Sequence, residues 1–222
     1  MLARDIYLHL FRILDPRTKD AVVIDATNVG TVDGQEFTAD RMLDIYNEAR
    51  RVLVSSAIDT YGKERARAEF GGLNKVSTVT FNSTLIAPKP LGYVAFTSLN
   101  VLNATGIAVN TPINVLPTSQ AQIYLEGRNP WYVDTVSRLF VFEIGLGFRY
   151  LGSKIAASST ALLHYLCVDP WSLTDVNASA TTVETVDDKH FHKLEQVAQA
   201  LALEVGSQQL MGLTATLFGG GK

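Results

Sequence analysis

Cysteine occurs once in the 222 residues, at Cys167, so no internal disulfide can form. That suits a protein made in a reducing cytoplasm. Tyr165 and Val168 flank the thiol with strand-forming residues, which predicts a packed side chain rather than a nucleophile. No apolar run is long enough to span a bilayer. Asp5 and His9 interrupt the apolar N-terminus, which therefore reads as a helix and not as a secretion signal. Positive charge is not in excess either. Nineteen Lys and Arg stand against 22 Asp and Glu, a net charge of −3, which argues against a general nucleic-acid binder.

Catalytic signatures are missing as well. There is no Gly-x-Ser-x-Gly elbow. Gly145-x-Gly147 is followed by Phe148, Arg149 and Tyr150 rather than a third glycine and a helix, so a turn or bulge between strands is expected there. The terminal Gly219-Gly220-Gly221-Lys222 has no helix after it and is not a phosphate loop. His190 and His192 are two apart, so they do not share a helix face. No further Cys or His completes a zinc site, and both read as solvated first-turn residues. Asp187-Asp188 fits a capping role. No metal, cofactor or catalytic residue is expected, and the chain reads as a non-enzyme.

What the chain does have is apolar periodicity. Hydrophobic residues make up 47% of it, enough for a packed core. From Thr38 to Thr60, Met42, Ile45, Tyr46, Ala49, Val52, Leu53 and Ala57 recur at the i, i+3, i+4, i+7 spacing of one helical stripe. They are the expected core of a helical bundle. Thr38 can cap the helix, and Asp40 sits in its first turn, where the dipole favours negative charge. The opposite, polar face carries Asp44, Asn47, Glu48, Arg50 and Arg51, with Glu48 and Arg51 placed to pair.

A first helix is predicted over Leu2–Leu14, with Leu2, Ile6, Leu10 and Ile13 on one face and Asp15-Pro16 as its stop. Asp25–Phe37 reads as a loop. The long helix can continue through Lys63–Glu69 to Gly71-Gly72. From Leu73 the period changes. Short apolar runs follow at Val76–Phe81, Gly92–Phe96, Ile107–Val109, Ala121–Glu126, Arg138–Ile144 and Ala161–Val168, and every proline except Pro16 lies between Pro88 and Pro170. That is the pattern of a compact all-β unit. In Arg138–Ile144, Leu139 and Val141 face one way and Phe140 and Phe142 the other, which predicts a central strand. After a polar stretch, Ser172–Val186, helical spacing returns. Asp187 or Asp188 is the expected cap, and Phe191, Leu194, Val197, Ala198, Leu201 and Val205 the stripe.

The predicted fold class is therefore α+β. Helices from residues 1–72 and 187–222 form one bundle, and residues 73–186 form a central antiparallel, sandwich- or barrel-like β insertion. The insertion is poor in charge. Between Leu73 and Val186 there are six basic and six acidic residues, with 13 and 16 in the shorter flanks. Such a surface suggests contact with other protein copies. A solvated face rich in Ser, Thr and Asn is the competing explanation.

The segment NPWYVDTVSRLFVFEIG and the later ALLHYLCVDPW share a pattern: Asn129-Pro130 followed by Trp131 and Tyr132, a strand at Leu139–Phe142, then Tyr165 and Pro170. A long helix with Asn47-Glu48-Ala49-Arg50 precedes it, and HKLEQVAQALALEVG closes it. From Thr38 on, this layout resembles the tail-adaptor, or head-to-tail connector, proteins of short-tailed bacteriophages and related virion ring proteins. The resemblance implies a structural virion protein assembled in the host cytoplasm. It implies a homo-oligomeric ring of about twelve copies under the portal protein. Such a ring lines the DNA channel without sequence-specific binding and docks the downstream tail protein. A weakly negative channel would let DNA slide. Leu213, Leu217 and Phe218 are apolar but sit past Gly206 and Gly212 on a glycine-ended tail, and become candidates for portal docking. Two alternatives stand beside this reading. One is a carbohydrate- or receptor-binding β module using Trp131, Tyr132 and Trp171; the other is a small capsid or scaffold subunit.

Overall fold

The long helix begins where its cap residue places it. A computed structural model describes residues 2–15, 37–70, 72–102, 108–116, 139–152, 154–177 and 188–203, together with 213, 216 and 217. The protein is mixed α+β and divides into two compact units, Met1–Leu73 with Val168–Lys222, and Asn74–Cys167.

In the first unit, helix α1 spans Ala3–Leu14 and α2 spans Ala39–Tyr61. The Thr38 hydroxyl accepts the Arg41 amide at 3.2 Å, satisfying one of the amides that a helix start leaves without an internal partner. Met42, Ile45, Tyr46, Ala49, Leu53 and Ala57 are buried, and Val52 is half-buried. Glu48 and Arg51 pair at 2.7 Å. The helix does not run on to Gly71. Gly62, at φ +82°, breaks it, and α3 is a separate helix over Lys63–Glu69. Helix α1 buries Ala3, Ile6, Tyr7, Leu10 and Phe11, while Leu2 and Ile13 are half-buried. The Tyr7 hydroxyl donates to the Ala39 carbonyl at 3.0 Å, and its ring meets Tyr46 edge-on.

The stretch read as polar linker contains a short helix, α4, Leu173–Asn177. Ser172 and Asp175 make a reciprocal capping box: Asp175 donates its amide to the Ser172 hydroxyl and accepts from the Ser172 amide and hydroxyl. Those bonds from Ser172 hold the Asp175 carboxyl below its ordinary range. Helix α5 spans Phe191–Ala202 and packs against α1 and α2. Leu194, Val197 and Ala198 are buried, and Phe191 and Leu201 are half-buried. The residue at its N-cap position is His190, with no side-chain cap bond. A 3-10 turn, Asp188–His190, leads into the helix. Leu213 and Leu217 are helical and half-buried. The loop residues before Phe37, the predicted strand at Ala121–Glu126, and Trp131, Tyr132, Asp187, Val205 and Phe218 lie outside the described residues.

In the second unit the strands are β1 Asn74–Thr80, β2 Ile86–Pro88, β3 Tyr93–Leu102, β4 Ala108–Leu116, β5 Leu139–Ile144, β6 Gly147–Tyr150 and β7 Thr160–Cys167. Their ladder order is β1-β7-β3-β4-β5-β6-β2. The expectation of a wholly antiparallel unit is corrected at one seam: β4 and β5 run parallel, with Ile113 opposite Leu139. The long connection 117–138 makes this possible, because a parallel pair needs a crossover and not a hairpin. Side chains from all seven strands build one core. Leu139 and Val141 join it, while Phe140 and Phe142 form a second cluster with Leu116, so β5 is apolar on both faces as its sequence predicts. Strands β5 and β6 are joined by Gly145-Leu146, the turn expected between two strands.

Candidate functional site

Helix α2 carries its most unusual chemistry on the face that periodicity assigns to solvent. Arg50 is only 1% exposed, and Asn47 is half-buried. Both face the chain where it returns from β7. Asn47 donates its side-chain amide to the Trp171 carbonyl at 2.9 Å and accepts the Trp171 amide at 2.8 Å. One side chain thus satisfies both peptide groups of one residue. Arg50 donates to the Asp169 carbonyl at 2.7 Å. Its guanidinium lies 5.0 Å from the centre of the Trp171 ring and 5.5 Å from that of Tyr46. A buried cation is costly unless bonded, and here a short charge-assisted bond and two aromatic faces offset that cost. Asn47 and Arg50 sit i, i+3, so one helix face presents both. That spacing is the only sequence signal for the clasp; which segment it grips is not local information.

A second polar cluster corrects the reading of the histidines. His192 is exposed, but His190 is 6% exposed. Its Nε2 lies 3.0 Å from the Glu69 carboxylate at the end of α3, and its ring is tilted over Phe70 at 4.6 Å. Among the described residues Nδ1 has no hydrogen-bond partner. Burial pulls the imidazole below its ordinary value, Glu69 pulls it up, and Lys189 and Lys193 push it down, leaving it lowered. Burial raises the Glu69 carboxyl, but Lys189, at 3.3 Å, and His190 outweigh it and leave it lowered.

The unfolded chain protonates His190 near pH 6.5, before the folded chain does. Stability is therefore intact above that value and is lost as pH falls below it. The Glu69 contribution is present above the ordinary carboxylate range and lost at lower pH. Melting temperatures between pH 7.5 and 5 should fall less in His190→Phe than in the wild type. Equal slopes would remove His190 as the cause.

In the β unit, Glu143 accepts from the Tyr93 hydroxyl at 2.9 Å and pairs with Lys89 at 2.9 Å, while Lys89 lies over the Tyr93 ring. Burial, then the Glu143 charge, drives the Tyr93 hydroxyl far above its ordinary value. The neutral hydroxyl is the form that donates to Glu143. Cys167 is buried, with its sulfur 3.6 Å from the Leu91 carbonyl, as a packed thiol. Among the described residues no three His, Cys, Asp or Glu side chains group as metal ligands. No helix among them is long and apolar enough to cross a membrane. Trp171, a candidate sugar platform, has its ring engaged by Arg50. No protein-family model matches the chain, and no curated protein matches it.

Proposed function

We propose that the protein is a structural virion component, a head-to-tail connector that assembles as a ring under the portal, lines the DNA channel and docks the next tail protein. The observation that carries this reading is the clasp. Two patches of the resemblance, Asn47–Arg50 and the Asp169–Trp171 end of the segment ALLHYLCVDPW, are far apart in sequence and are tied by Asn47 and Arg50. Residues singled out for their likeness to connector proteins thus fix the point where the chain returns from its β unit. The low charge of that unit supports burial against neighbouring copies. In this reading the terminal helices are a bundle, the β unit is a sandwich- or barrel-like insertion, and the protein is not an enzyme. Leu213, Leu217 and Phe218 dock on the portal.

Mixing the purified chain with portal and imaging the product in negative stain tests the reading. The full chain should add a ring to portal. A chain ending at Gln209 should keep its fold and fail to attach. Attachment equal to the full chain would free the tail of a docking role. A full chain that ignores portal at micromolar concentration would defeat the connector reading.

A further inference from the structure

The outward stripe of α1 carries a charge pattern with no partner among the described residues. Asp5, Leu8, His9 and Arg12 lie at i, i+3, i+4 and i+7, opposite the buried stripe, and with Phe191 they line a cleft of about 380 Å³. Phe191 forms its wall, with the His9 ring edge-on to it at 4.9 Å. Asp5 and Arg12 are exposed, and among the described residues neither has an ion-pair or hydrogen-bond partner. Opposite charges thus flank an apolar and aromatic centre.

We propose that this face binds a second copy of the chain, with α1 packed antiparallel on α1 about a two-fold axis between Leu8 and His9. Asp5 and Arg12 are seven residues apart, about 10.5 Å along the axis. Reversing one helix on the other therefore brings each Asp5 opposite the other copy's Arg12, at a helix separation of about 8–10 Å. Parallel pairing would instead set Asp5 against Asp5 and Arg12 against Arg12. The self-complementary order of charges selects the isologous arrangement. Leu8 of each copy then fills the cleft beside Phe191 of the other. One helix face is a small interface, so the dimer is weak and reversible. It is a contact of the free protein, independent of the ring proposed above.

Sedimentation velocity of the full chain over a concentration series tests it, using wild type, Asp5→Arg, Arg12→Asp and an equimolar mixture of the two variants. Wild type should dimerise reversibly, and less so in high salt. Each variant alone should dissociate at about tenfold higher concentration or more, because like charges then face each other. Mixed, Asp5→Arg supplies two arginines and Arg12→Asp two aspartates, and the dimer should return. Circular dichroism checks that each variant stays helical. Asp5→Asn, which keeps the shape, should shift the equilibrium in the same direction by less. A wild type that is monomeric throughout, association indifferent to either reversal, or a mixture that stays monomeric would each overturn the proposal.

Discussion

Replacing Arg50 with alanine should lower the melting temperature of the helical unit by about 6–12 °C. The substitution removes a charge-assisted hydrogen bond to the Asp169 carbonyl and the contacts with the Tyr46 and Trp171 rings. Such a bond contributes about 1.5–3 kcal/mol and each buried cation–ring contact about 1 kcal/mol. Relief from holding a charge out of water offsets part of this. A net loss of about 3 kcal/mol remains, and each kcal/mol shifts melting by about 2–4 °C in a chain of this size. Arg50→Met keeps the stem packed and loses only the polar contacts, so it should cost about half as much. Arg50→Lys keeps the charge but not the planar group that lies against two rings, and it should fall between the two. Thermal melts of the three variants give the order. If Arg50→Ala melts within about 1 °C of wild type, Arg50 behaves as the surface residue that its periodicity suggests, and the clasp does not hold the returning chain.

The second large effect is expected in the β unit, at Gly147. A Cβ placed there would collide with the Ala87 carbonyl oxygen and would stand 3.0 Å from the Ala87 carbonyl carbon and 3.1 Å from Ile86 Cγ2. The obstacle is backbone held in the β2–β6 ladder, where Ala87 pairs with Phe148 and Pro88 with Gly147, so it cannot step aside as a side-chain tip could. Overpacking a tight site costs about 1–3 kcal/mol, and more when backbone must move. Gly147→Ala should lose about 3 kcal/mol and open β2, raising hydrogen exchange at the Ala87 and Lys89 amides. Gly145 is the control. Nothing lies within 4 Å of a Cβ added there, so Gly145→Ala should stay within about 0.5 kcal/mol of wild type. Equal behaviour of the two alanine variants would mean that β2 does not press on Gly147.

Local information carried much of this architecture. The stripe from Met42 to Ala57, the Thr38 cap and the switch of period after Leu73 are properties of neighbouring residues, and each predicts an element or its face from a few turns of chain. The doubly apolar run Leu139–Phe142 likewise announces a strand covered on both sides. Strand β2 was not legible, because a three-residue segment is too short to show a period. Nor were the fates of Arg50, Asn47 and His190. Periodicity says which residues share a face, but not what arrives against that face. Arg50 is polar by type and buried by circumstance: Asp169 and Trp171 return to it and supply the carbonyl and ring that make its burial tolerable. His190 is buried because Glu69 and Phe70, over a hundred residues earlier, stand beside it. The parallel seam between β4 and β5 is of the same kind. Elements came from spacing along the chain. Partners came from contacts between distant segments, whose energies no short window of sequence contains.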